Sequence, residues 1–153
     1  MKKIILLLAL TLSTVSFAQL KKLDAASKTE LIGKVGGALG SPKSLECTKT
    51  GNTYTFEYRD MKYPNIESYK EFSFDDVENT FESLYTTIID GFENTPKEAV
   101  DLELPKYIIR LDYTKALGIV NLNMYISLKG TDVIGVTAAL SKKQVDKLFG
   151  KKK

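Results

Sequence analysis

The chain has no histidine, no tryptophan and a single cysteine, Cys47, among its 153 residues. Without histidine it lacks the commonest general base, the commonest metal ligand and the usual activator of serine and cysteine nucleophiles. One cysteine makes no intramolecular disulfide, and with no histidine beside it there is no structural zinc set. In the alternating stretch Leu45-Glu46-Cys47-Thr48, Cys47 reads as a small buried hydrophobe rather than a reactive thiol. Neither a metal nor an organic cofactor is expected. Arginine is confined to Arg59 and Arg110, which argues against bidentate phosphate or carboxylate recognition. The glycine-rich run Gly36-Gly37-Ala38-Leu39-Gly40 lacks the Lys-Ser/Thr pair of a phosphate loop. The acidic residues form no Asp-x-Asp-x-Asp-Gly calcium loop.

What is present starts with an export signal. Lys2 and Lys3 precede an apolar run, Ile4 to Leu12, broken only by Thr11; Ser16 and Ala18 then supply small residues before a cleavage point. Residues 1–18 are expected to be a signal peptide, with Gln19 as the new N-terminus and the protein acting in the periplasm or outside the cell. The apolar run is shorter than the roughly 20 residues of a membrane-spanning helix, and no later stretch is apolar enough, so no transmembrane segment is expected in the mature chain. Residues 19–153 have the length of one small domain. Removal of Lys2 and Lys3 leaves 20 basic residues against 19 acidic ones. The remaining basic excess sits in the lysine-rich tail from Lys142 to Lys153, the expected finish of a solvated helix. No basic stripe of the kind that nucleic acid selects is present.

Periodicity predicts three helices. The first opens at Ser27 with Glu30 as its capping-box partner, and Leu31, Ile32, Val35, Ala38 and Leu39 form its apolar face. It is weakened by Gly33, Gly36 and Gly37 and stopped by Gly40, Ser41 and Pro42. The second starts at Ser73 or Asp75, and Val77, Phe81, Leu84, Tyr85, Ile88, Ile89 and Phe92 recur on one face up to Gly91–Pro96. The third is short: Ser141 and Gln144 make a capping box, Leu140 and Val145 a staple, and Gly150 the stop. Alternation predicts strands over Thr53–Arg59, Ser68–Phe74, Tyr107–Thr114 and Val120–Leu128, then, after a turn at Lys129–Thr131, a strand whose aligned residues are Ile134, Val136, Ala138 and Leu140. A further short strand is expected near Ser44–Thr48. The expected fold is α+β, an antiparallel sheet packed by helices in the approximate order αβββαβββα.

The stretch from Tyr54 to Tyr69 departs most from a plain core pattern. Pro64 and Asn65 mark Arg59 to Asn65 as a loop between two strands, and loops fixed by a sheet often carry binding. Tyr58, Arg59, Tyr63 and Tyr69 are the expected partner-binding residues, because tyrosine and arginine dominate interface hot spots. No catalytic residue is assigned. The leading expectation is a small exported, non-enzymatic binding or accessory protein recognising a protein or peptide partner. The alternative is a small hydrolase using a pair of carboxylates, drawn from Glu46, Glu57, Asp60, Glu71, Asp75, Asp76, Glu78, Asp101, Glu103 and Asp112, none of which its sequence setting marks out.

Overall fold

The computed structural model describes residues 28–37 and 42–151. The expected signal segment, the Ser27 cap and the Gly40–Ser41 stop lie outside them.

Among the described residues the chain is a mixed α+β fold of two antiparallel four-stranded sheets and two helices. Strands β1 (Thr29–Gly36), β2 (Lys43–Thr50), β3 (Thr53–Arg59) and β4 (Tyr69–Asp75) form the first sheet as a meander. Helix α1 (Thr80–Asn94) follows. Then β5 (Val100–Glu103), β6 (Tyr107–Ala116), β7 (Ile119–Leu128) and β8 (Ile134–Val136) form a second meander, and α2 (Lys142–Leu148) ends the order. The sequence of elements is ββββαββββα, not αβββαβββα, and the strands divide between two sheets.

The first correction falls at residues 29–36. They form an edge strand, where a helix was expected. Gly33 and Gly36 remove the intrinsic reason for a helix, and pairing with β2 gives the backbone another set of partners. The glycine at 33 has a packing role instead: a Cβ there would come within 2.1 Å of the Lys147 carbonyl oxygen, so only glycine lets α2 lie this close to β1.

The second correction is the start of α1. Ladder pairing of Thr53 with Asp75 keeps Ser73–Asp75 in the sheet. The chain then turns through Glu78 and Asn79 at φ of 54° and 61° before the helix begins at Thr80. Asp76 caps it from outside, its Oδ1 accepting the Phe81 amide at 2.9 Å. Val77, expected on the buried face, is 61% exposed in this turn. Of the rest of that face, Phe81, Leu84, Ile88 and Phe92 are buried and Tyr85 and Ile89 are half-buried against them. At α2 the expected box is in place, with the Ser141 amide donating to Gln144 Oε1 at 2.8 Å.

Strand β8 is also displaced from expectation: Gly135 and Thr137 face inward, and Ile134 is exposed. Tyr58 explains why. Its ring occupies the space a side chain at 135 would need, with the hydroxyl 2.0 Å from where a Cβ would stand.

Both sheets contribute to one cluster of buried side chains. Tyr54 stacks on Phe81 at 3.8 Å between ring centroids, and Phe81 lies 4.9 Å from Phe149 just past α2. The helices exchange sheets. Beyond its first turn α1 runs onto the second sheet, where the Tyr113 hydroxyl donates to the Ile88 carbonyl at 2.9 Å and Phe92 meets the Tyr113 ring edge-on. Helix α2 returns to pack on β1 and β2.

Candidate functional site

Strands β3 and β4 are joined by residues 60–68, and this connection is tied down along its length. At its start Asp60, only 5% exposed, accepts the Lys62 amide at 3.0 Å and the Val136 amide at 3.0 Å. The Lys70 ammonium sits 2.8 Å from its other oxygen. The Met61 amide donates to the Val136 carbonyl at 2.8 Å, which ties the loop to the outer side of β8. The Asp60 amide donates to the Ser68 carbonyl at 2.8 Å, which closes the neck of the loop. Inside it, the Ile66 amide donates to the Tyr63 carbonyl at 2.9 Å and Arg59 Nη2 to the Pro64 carbonyl at 3.0 Å. Burial alone would raise the Asp60 pKa. The Lys70 ammonium and the two amides outweigh it and hold the carboxyl below its ordinary value.

This scaffold displays apolar surface. Tyr63 is 61% exposed and Ile66 60%. Tyr69 is partly exposed, its hydroxyl donating to Glu67 Oε1 at 3.0 Å. Of the four residues expected from the sequence, Arg59, Tyr63 and Tyr69 belong to this loop and its neck. Tyr58 does not belong to the surface: it is 2% exposed, and burial raises its phenol pKa well above the ordinary range. Alternation along β3 puts Tyr58 on the same inward face as Tyr54 and Phe56. Arg59 orders the loop through its bond to Pro64. Ile66 was missed by sequence reasoning, which sought aromatic and arginine hot spots; an aliphatic residue between Asn65 and Glu67, in a polar connection, was the available signal. Asp60 is one of the ten candidate acids, with nothing in its sequence setting to single it out, since its partners at 70 and 136 are brought to it by the fold.

Beside the loop a cleft of about 300 Å³ opens between β4 and the second sheet, lined by Lys70, Glu71, Tyr107, Leu128 and Val133 among others. A second, of about 360 Å³, lies farther along β4 by Ser73, Asp75, Pro105 and Lys106. A third, on the outer face of the second sheet, contains Asp101 paired with Arg110 at 2.7 Å. Each of these three clefts is lined by a single carboxylate: Glu71, Asp75 or Asp101. Glycoside hydrolysis by two acids needs both within about 5–9.5 Å across one bond, and none of the three supplies that pair. No group of three or more Cys, Asp or Glu side chains suited to a metal ion occurs among the described residues.

No family model, no curated protein and no solved structure matches the chain.

Proposed function

We propose that this chain is an exported, non-enzymatic binding or accessory protein that recognises a protein or peptide partner through the β3–β4 loop. The supporting observation is the display of Tyr63 and Ile66 on a loop that is hydrogen-bonded at its neck, within itself and to β8. Folding fixes this loop beforehand, so the ordering cost of association is small. Tyrosine offers a large, stiff contact area with a polar tip, and Ile66 extends the apolar patch. Tyr69 and Arg59 complete the surface at the neck.

The test places a photo-crosslinking benzoyl-phenylalanine at position 63 and, as a control, at position 55 on the outer face of the first sheet. Irradiation in the native host should give a discrete adduct from position 63 alone. Ile66→Ala should reduce the adduct while leaving the melting temperature within about 2 °C of wild type, as expected for a surface change. No adduct at position 63, or equal adducts at both positions, would remove the reading.

A further inference from the structure

We propose that the free edge of β4 accepts an extended segment of a partner protein as a fifth strand, with a lysine or arginine of that segment opposite Glu71. This deepens the partner-binding reading and rests on it, since β4 begins at Tyr69, at the neck of the loop.

Native sheets blunt their open edges with bulges, short strands or a covering segment. Among the described residues, three of the four sheet edges are so treated. β1 carries two register shifts and packs against α2. β5 has four residues. β8 has three, and its outer side is taken by Met61. β4 is different: seven residues in unbroken register, without proline, and among the described residues no backbone group bonds to Glu71 or Ser73 on its outer side.

Its unused backbone groups can be located. Asp60 bonds to Ser68 at one end of the β3–β4 ladder and Asp76 to Asn52 at the other. In an antiparallel ladder bonded pairs alternate with unbonded ones, so Lys70, Phe72 and Phe74 are the residues bonded to β3. The alternate residues, Glu71 and Ser73, send their amide and carbonyl groups to the open side. An extended backbone is the chemistry that fits such a row.

Charge selects the strand. Register sets Lys34, Glu46, Glu57 and Glu71 side by side across the outer face of the sheet. Lys43 pairs with both Glu46 and Glu57, and Lys34 also reaches Glu46. No ion pair among the described residues neutralises Glu71, the last of three adjacent glutamates. Like charges directly opposite are destabilising and opposite charges stabilising, so the next position in the row calls for a base. A second copy of β4 does not provide one: its own outward row is Tyr69, Glu71, Ser73 and Asp75. The neighbours of the basic residue on the added strand would point inward, toward the clefts at Leu128 and Val133 and at Phe74 and Pro105. The recognised pattern is therefore apolar–basic–apolar.

The probe is a capped nine-residue peptide, Thr-Thr-Thr-Val-Lys-Val-Thr-Thr-Thr, titrated into the isotope-labelled mature chain and followed by amide NMR. The peptide should shift the Glu71 and Ser73 amides and slow their hydrogen exchange. Glutamate in place of the central lysine should weaken binding about tenfold, the combined effect of losing an attractive pair and gaining a repulsive one. Glu71→Lys should invert that preference, and N-methylation of the central residue should abolish binding. Silence at Glu71 and Ser73, or equal binding of both peptides, would overturn strand addition. So would a dimer that protects these amides without peptide, since it would assign the edge to a second copy. If the peptides are silent while the position-63 adduct persists in Glu71→Lys, strand addition falls and the loop surface stands; loss of the position-63 adduct in wild type removes the loop reading instead.

Discussion

Asp60 gathers two amides and an ammonium onto one nearly buried carboxylate, and in doing so joins the first sheet to β8. Asp60→Ala leaves the Lys70 ammonium and two amides without their acceptor. The cost should be about 2–3 kcal/mol in denaturant melts, below the range for fully buried pairs because Lys70 is partly exposed. The sign of the pH effect follows from the lowered pKa. The stabilisation is fully present above the unfolded value of about 3.9 and is lost as pH falls through the lower folded value. Wild type should therefore lose stability below about pH 4 more steeply than Asp60→Asn, whose side chain does not titrate. Cys47 makes a second residue-scale prediction. Its thiol is fully buried, and burial pushes its pKa up to about 12, so a disulfide reagent should modify it at least about a hundredfold faster in denaturant than in the native state. The burial of Cys47 was legible from its alternating neighbours. The role of Asp60 was not, because its partners at 70 and 136 are brought near only by the fold.

At the scale of elements, Phe81 ties the start of α1 to the core, stacking on Tyr54 and touching the Phe149 ring. Phe81→Ala should cost about 3–5 kcal/mol, read as a lower denaturant midpoint at unchanged slope. A loss under about 1 kcal/mol would mean that the ring does not hold the helix to the core. This face was visible in the sequence because seven apolar residues recur at the helical period, and the β3, β6 and β7 strands were visible because one face of each is apolar. The elements that were misread share a physical cause. β1 has glycine where the packing signal should be, since Gly33 is the point at which α2 touches the strand. β8 turns Gly135 inward to receive Tyr58, so its exposed Ile134 mimics a core position. β5 is four residues long and too short to show a period. Where a neighbour supplies the side chain that fills a space, the local sequence carries no sign of it.

For the whole molecule, export should release a mature chain beginning at Gln19, and the mass of protein purified from the native host tests this; retention of Met1–Ala18 would refute it. The internal architecture leads to a stronger expectation about folding. Each half of the chain is a four-stranded meander followed by a helix, yet neither helix completes the core of its own half alone. The later turns of α1 rest on Tyr113 of the second sheet, and α2 lies on β1 and β2 of the first. Phe149, past α2, contacts Phe56 and Phe81, both from the first half. A fragment ending after α1 would expose the inner faces of Phe56 and Phe72 on one side and of Ile88 and Phe92 on the other, with nothing to bury them. At roughly 25 cal/mol per Å² of apolar surface, such exposure exceeds the few kcal/mol by which small domains are stable. Residues 28–95 and 96–153 should each fail to fold alone, with little secondary structure in far-ultraviolet dichroism, while an equimolar mixture should recover part of the native signal. The intact chain should unfold in one step, with backbone dichroism and tyrosine fluorescence giving coincident denaturant curves. Two separated transitions, or a cooperative melt from either fragment, would show that the exchanged helices do not couple the two sheets.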